Sequence, residues 1–419
     1  MSALILTKEN VAGYVREHTS LFPEDAVLRV HEVGEGGTDG DGYVNFLFRV
    51  WDQERSCVVK QAREYFKMWG EEGNRLTVER NRLEVDILRI RSAICPQYIP
   101  EVYYCDVDNN IFVMEDLSGM HIMRFELNSM KIFPNFPRQI GEYFASCNFF
   151  TSLEYLPDRV FRGLQAKFIN PEMREIMEAF IFLPPDPDRA RGLENPDPRE
   201  FLIGPHFWKR VRLRQEMVRM RNIFMRKTEC LIHGDLHTSN IFLDQENMKV
   251  IDMEYTFMGP EAHDMGYLTA NCISEYAAFH FRREFSEEEC GRFRVYLLTK
   301  LHDIYACYCN SYRDLFMRYA KPLYRDLPGY LDEKLSHFCY EMAAFAACSN
   351  FTRTTGMCGY PDFDVIRDPG LRVRAKMLSA LISVNILENH DRIGGIGDMI
   401  DIISKTAGYF MKATKTAKR

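Results

Sequence analysis

Hydrophobic positions follow two different periods along this chain. Over the first 117 residues, short runs of alternating or continuous apolar character predict strands at 27–33, 44–51, 56–61, 101–106 and 111–115, enough for one five-stranded antiparallel sheet. A single strong helix is expected over 76–94, with Leu83, Ile87, Ile90 and Ile94 on one apolar face and Glu84 beside it. Thr7 and Asn10 can open a shorter helix through about His18. After Met114-Glu-Asp-Leu-Ser118 the period lengthens to that of helices, beginning near 136–150. Leu331, Leu335, Phe338, Met342 and Phe345 form a later stripe of the kind that fills a core. Residues 182–200 are too rich in Pro and Asp for regular structure and read as a surface loop. The implied fold class is α+β, with a sheet-bearing domain over 1–117 and a mainly helical one over 118–419.

A length of 419 residues agrees with two cores. The formal net charge of −7 argues against a nucleic-acid partner, which would require clustered cations. The basic stretch from Lys209 to Lys227 is interleaved with Phe207, Val211, Met217, Val218 and Phe224, so it reads as the solvated face of an amphipathic helix. The 12 cysteines include no C-x-x-C pair and suggest reduced, mostly buried thiols. No signal peptide, lipidation motif or apolar run of membrane-spanning length appears, which points to a soluble cytoplasmic protein without a membrane partner. The basic tail from Lys412 is expected to fray.

The chemistry concentrates in Leu231-Ile-His-Gly-Asp-Leu-His-Thr-Ser-Asn240 and Val250-Ile-Asp-Met-Glu254. Asp235 sits where a loop carboxylate can take a proton from an acceptor hydroxyl. Asn240, Asp252 and Glu254 offer oxygen ligands suited to magnesium. A base, an amide and a pair of metal carboxylates in that order are what phosphoryl transfer from ATP requires. Lys60, at the end of an apolar strand, and Glu84, on the following helix, match the lysine–glutamate pair that holds nucleotide phosphates. The turn from Gly34 to Gly42 has five glycines among nine residues, so its bare main-chain N–H groups can close over phosphates; without a following Lys-Ser or Lys-Thr it is not a Walker loop.

The chain resembles the 5-methylthioribose kinases, within the protein-kinase-like superfamily of small-molecule kinases. The likeness runs in order through Val59-Lys-Gln-Ala62, Leu76-Thr77 with Arg80 and Glu84, Val113-Met-Glu-Asp-Leu-Ser118 and Asn148-Phe-Phe-Thr-Ser152. It continues through Phe168-Ile-Asn-Pro-Glu172, His233-Gly-Asp-Leu-His-Thr238, Asp252-Met-Glu254, Gly259-Pro260 and Asp264-Met-Gly266. This resemblance implies a bilobal protein-kinase-like fold and ATP- and Mg2+-dependent phosphorylation of the sugar 1-hydroxyl in methionine salvage, with Asp235 as base. It implies nucleotide contacts from Gly40, Asp41, Gly42, Asn45, Lys60, Glu84, Met114, Glu115 and Leu117, metal ligation by Asn240, Asp252 and Glu254, substrate contacts from Asp235 and Arg353, and a homodimer.

The sequence departs from the family at three places. Ser239-Asn240 replaces a Gly-Ser, Thr352-Arg353 ahead of Gly356 replaces an arginine pair, and Arg75 stands where the family has tryptophan, with Trp69 displaced from it. His-Gly-Asp by itself also fits aminoglycoside, choline or homoserine kinases. Another sugar or amino-alcohol hydroxyl is therefore the alternative acceptor, and a nucleotide-binding module without catalysis is a third reading.

Overall fold

The computed structural model describes residues 4–34, 44–65, 67, 75–182, 210–355 and 361–416. Gly40, Asp41, Gly42, Trp69, Gly356 and the 182–200 loop beyond Phe182 lie outside the described residues. The chain forms two compact units, one of residues 1–123, 170–173 and 239–256 and the other of residues 124–169, 174–238 and 257–419. The fold class is α+β, as expected.

In the first unit β1 (Arg29–Glu32), β2 (Phe46–Trp51), β3 (Ser56–Gln61), β4 (Val102–Asp106) and β5 (Ile111–Glu115) form an antiparallel sheet in the order β1-β2-β3-β5-β4. β1 is shorter than the expected 27–33, because its pairing with β2 starts at Arg29↔Trp51 and leaves Val27 exposed. Alternation sends Phe48, Val50, Cys57, Val59, Ile111 and Val113 into one core, which α1 (Val11–His18) joins through Val11, Tyr14 and Val15. Leu47, Val58 and Lys60 consequently project from the opposite face.

Helix α2 runs from Glu79 to Ile94, and its buried face shares Leu83 and Ile87 with the expected one but is otherwise different. Ile90 and Ile94 are only partly buried, while Arg80, Leu83, Glu84, Ile87, Leu88 and Arg91 are buried. Apolar periodicity missed the rest of this face because three of its members are charged and find partners elsewhere in the unit. A small antiparallel sheet of His121–Ile122, Ile241–Leu243 and Met248–Val250 completes the unit and leads into the Asp252–Glu254 loop.

The second unit is mainly helical, with α3 (Phe136–Phe150), α4 (Val211–Arg226), α5 (His263–Ala278), α6 (Glu287–Tyr319), α7 (Tyr330–Thr355), α8 (Pro369–Asn389) and α9 (Ile396–Thr416). A capping box starts α6: Ser286 Oγ accepts from Glu289 N, and the Glu289 carboxylate accepts from Ser286 N. α3 packs along α6, and α5 against α7 and α8. The basic stretch is helical in α4 and buries Met217 and Phe224 as expected, together with Leu213 and Met220, whereas Val211 and Val218 are exposed. α9 continues to Thr416, so the tail is helical beyond Lys412, carried by a face that buries Met399, Ile403, Ala407 and Phe410. Eleven described cysteines are free and eight of them are buried, in line with reduced thiols. Among the described residues, no helix is long and apolar enough to cross a membrane.

Candidate active site

The sheet unit contains a cavity of about 550 Å³. Val33, Val44, Leu47, Val58, Met114 and Ile251 give it apolar walls, while Lys60, Glu84 and Asp252 supply charge. Asn45, Glu115, Leu117 and Asn240 also line it. β3 positions Lys60, whose neighbours across the ladders are Leu47 and Phe112. Its Nζ donates to Glu84 Oε1 at 2.8 Å and to Asp252 Oδ1 at 2.5 Å. Burial opposes the charge on Lys60, but Asp252, Glu84 and Glu254 outweigh it and hold the ammonium well above its usual range. Burial pushes Glu84 up to about 8 and raises Glu254, with Asp252 adding to both shifts and Lys60 opposing them. Asp252 has φ 63°, an unusual conformation for a residue with a side chain that costs about 1–3 kcal/mol and recurs at functional sites.

Oxygens of Glu84, Asp252 and Glu254 lie within 4.8 Å of one another. Glu254 is fully buried; its Oε2 accepts from Asn45 Nδ2 and Arg80 Nε, both at 3.0 Å, while its Oε1 has no hydrogen-bond partner among the described residues. Hard oxygens gathered this way fit a magnesium ion. Glu84 belongs to this cluster although the sequence suggested it only as the partner of Lys60. Asn240 borders the same cavity, and its main-chain oxygen accepts from Ile251 N. The Glu115 side chain binds Lys249 Nζ at 3.1 Å.

Asp235 belongs to the helical unit and follows a turn in which Gly234 takes φ +87°. That conformation favours glycine. The turn is clamped from α5. Asp264 Oδ2 accepts from His233 N at 2.6 Å and its Oδ1 from Gly234 N at 2.9 Å, while Asn271 Oδ1 accepts from Thr238 N at 2.8 Å. The His237 ring lies 3.6 Å from the Asp235 carboxylate. Burial raises the Asp235 pKa, but His237, Arg353 and His233 overcome it and leave the carboxyl below its ordinary range. Asp235 is therefore anionic at neutral pH. Arg353 is anchored by a hydrogen bond from its Nη1 to the Tyr267 hydroxyl, with the guanidinium 5.6 Å from that ring's centre. Thr352 is buried and its Oγ1 donates to Ile181 O at 2.8 Å, so that position faces a neighbouring main chain.

Sequence reasoning missed several residues that hold these groups. Asn170 Nδ2 donates to the Glu254 and Thr256 carbonyls at 2.9 and 3.0 Å. Asp264, Asn271 and Arg80 received no role from spacing. Asn170, Arg80 and Asp264 do stand within the stretches that carry the family resemblance, which was the available signal.

Comparison with known proteins matches residues 151–304 to the phosphotransferase enzyme family. The chain is 31% identical over 400 residues to the methylthioribose kinase of Geobacillus thermodenitrificans, spanning 95% of this chain and 96% of that protein. It is 32% identical over 359 residues to that of Geobacillus kaustophilus, spanning 85% and 86%. It is 30% identical over 395 residues to that of Bacillus velezensis, spanning 94% and 95%. With identity at that level along nearly the whole length, the chain belongs to the methylthioribose kinase family.

Proposed function

We propose that this protein transfers the γ-phosphate of ATP to the 1-hydroxyl of 5-methylthioribose, a step of methionine salvage, with Asp235 as the base. The observation that carries the reading is the Lys60–Glu84–Asp252–Glu254 cluster at a cavity whose remaining walls are largely apolar. Apolar walls suit a nucleobase, and Met114, Glu115 and Leu117 line the cavity where main-chain groups can meet its edge. Lys60 binds phosphate oxygens while Glu84 keeps its ammonium in place. Asp252 and Glu254, with Asn240, would hold magnesium, which supplies charge neutralisation on the phosphates. Asp235 accepts the hydroxyl proton as the sugar oxygen bonds to the γ-phosphorus and the bond to the ADP oxygen breaks. Arg353 offers a fixed fork of donors to the sugar hydroxyls. The same reading places the reaction in the cytoplasm, and the homodimer carries over from the family as an expectation.

A second reading, another sugar or amino-alcohol acceptor, draws support from Thr352. Its hydroxyl is committed to Ile181 O, so the site has one guanidinium where the family has two. Release of ADP measured against a panel of acceptors, methylthioribose first, distinguishes the two. Asp235→Asn is expected to abolish turnover while nucleotide affinity stays unchanged, because the amide cannot accept the proton. A variant retaining a tenth or so of wild-type kcat would remove Asp235 from the role of base.

A further inference from the structure

Arg80 is a fully buried arginine whose hydrogen bonds to Glu254, Thr77, Asn45 and Arg63 lie within the sheet unit. Its Nε donates to Glu254 Oε2 at 3.0 Å, Nη1 to Thr77 O at 2.5 Å, and Nη2 to Asn45 Oδ1 at 3.1 Å and Arg63 O at 3.0 Å. The guanidinium is thus fixed by three groups other than Glu254. Asn45 is fixed with it, since its Nδ2 donates to the same Glu254 oxygen that Arg80 binds. Two donors converge on Oε2 and, among the described residues, none reaches Oε1. That asymmetry sets the rotation of the carboxylate and leaves Oε1 as the oxygen available to a cation. Arg80 also stands one helical turn before Glu84, so a single face of α2 engages both Glu254 and Lys60.

We infer that Arg80 is a positioning residue that orients the Glu254 carboxylate for metal binding and ties it to helix α2. The inference rests on the reading of Glu254 as a magnesium ligand. Two roles for Arg80 make opposite predictions. Three carboxylates and two cations, Lys60 and Arg80, meet here. If Arg80 acted only through its charge, removing it would strengthen the binding of a divalent cation, because like charges a few ångströms apart repel. If it acts by orientation, removing it weakens binding despite the lower positive charge. Arg80→Lys keeps the charge but loses the planar fork that reaches Glu254, Asn45 and the main chain together.

The test uses the full chain with saturating ADP and follows Mn2+ binding by electron paramagnetic resonance, with thermal melting to establish folding. Arg80→Lys and Arg80→Gln are each expected to weaken Mn2+ binding about tenfold, the usual consequence of loosening the partner of a metal ligand. Glu254→Gln is expected to weaken it at least as much. Unchanged or tighter Mn2+ binding in the Arg80 variants, alongside weakened binding in Glu254→Gln, would overturn the inference and leave the metal assignment standing. Wild-type Mn2+ binding by Glu254→Gln would instead remove the metal assignment itself. Should Arg80→Gln fail to fold, Arg80→Lys decides the question alone, since it retains charge and most of the packing volume.

Discussion

Asp264→Asn probes the clamp on the turn that carries the proposed base, Asp235. The carboxylate is buried and both oxygens are committed to main-chain donors, His233 N at 2.6 Å and Gly234 N at 2.9 Å. The amide keeps one acceptor oxygen and turns an NH2 group toward the other N–H. One charge-assisted bond is lost, at about 1.5–3 kcal/mol, and a buried donor is left unsatisfied. With partial relaxation, the expected loss of stability is about 2–4 kcal/mol. The functional effect is separate. Gly234 holds φ +87° just after these two bonds and Asp235 follows it directly, so loosening the turn displaces the proposed base. A displacement on the order of 1 Å in a reacting group costs about 100-fold in rate. Urea unfolding gives the first quantity, and single-turnover kcat with a parallel nucleotide Kd gives the second. Nucleotide affinity should hold while kcat falls. Equal unfolding midpoints together with a kcat within a few-fold of wild type would show that the two bonds do not position Asp235.

Arg353→Ala should lower kcat/KM for methylthioribose about 10–100-fold without changing ATP affinity, the usual worth of charge-assisted bonds to substrate; a fall in melting temperature with unchanged kinetics would mean that Arg353 serves only to brace Tyr267. His280 is held neutral, its pKa lowered to about 3 by burial first and Arg294 second. Above pH 6.5 it is neutral folded and unfolded. As pH falls below that value only the unfolded chain takes the proton, so stability declines by about 1.4 kcal/mol per pH unit from this group. His280→Phe should flatten the fall in melting temperature between pH 6.5 and 5, and parallel curves for the two proteins would contradict the assignment. Gly266→Ala should destabilise by about 1–3 kcal/mol despite alanine's better helix propensity, because a Cβ there meets Phe345 Cβ at 2.7 Å and Met342 O at 2.9 Å; an unchanged unfolding midpoint would show that α5 and α7 can separate without cost.

All five sheet strands were legible in the sequence to within two residues at each end, because half-buried strands advertise themselves by alternation. β1 was overextended because composition cannot say where a pairing partner stops. The helix before the hinge was legible in place but only partly in facing, through Leu83 and Ile87. Its buried face includes Arg80, Glu84 and Arg91, and a rule that sends charge to solvent turns such a helix the wrong way. The rule fails where charges are paired, and the partners are far off in sequence: Glu254 lies 174 residues from Arg80, and Asp252 lies 192 from Lys60. No local window contains both members of such a pair.

The helical unit shows the complementary limit. On α5, Asp264, Tyr267 and Asn271 recur at helical spacing, and each fixes part of the proposed acceptor machinery: the Gly234 turn, Arg353 and Thr238 N. That spacing is visible in the sequence, but two of the three side chains bind main-chain groups, which leave no residue-type signal at their own positions. Asn170 poses the same problem, binding the Glu254 and Thr256 carbonyls rather than any side chain. Groups that meet ATP or a metal must be particular residue types, so spacing can find them. Groups that hold the backbone need only a donor or acceptor within reach, and folding alone brings them there. For this reason Asp235, Asp252 and Glu254 could be proposed from the chain alone, while Asp264, Asn170 and the proposed role of Arg80 required the three-dimensional arrangement.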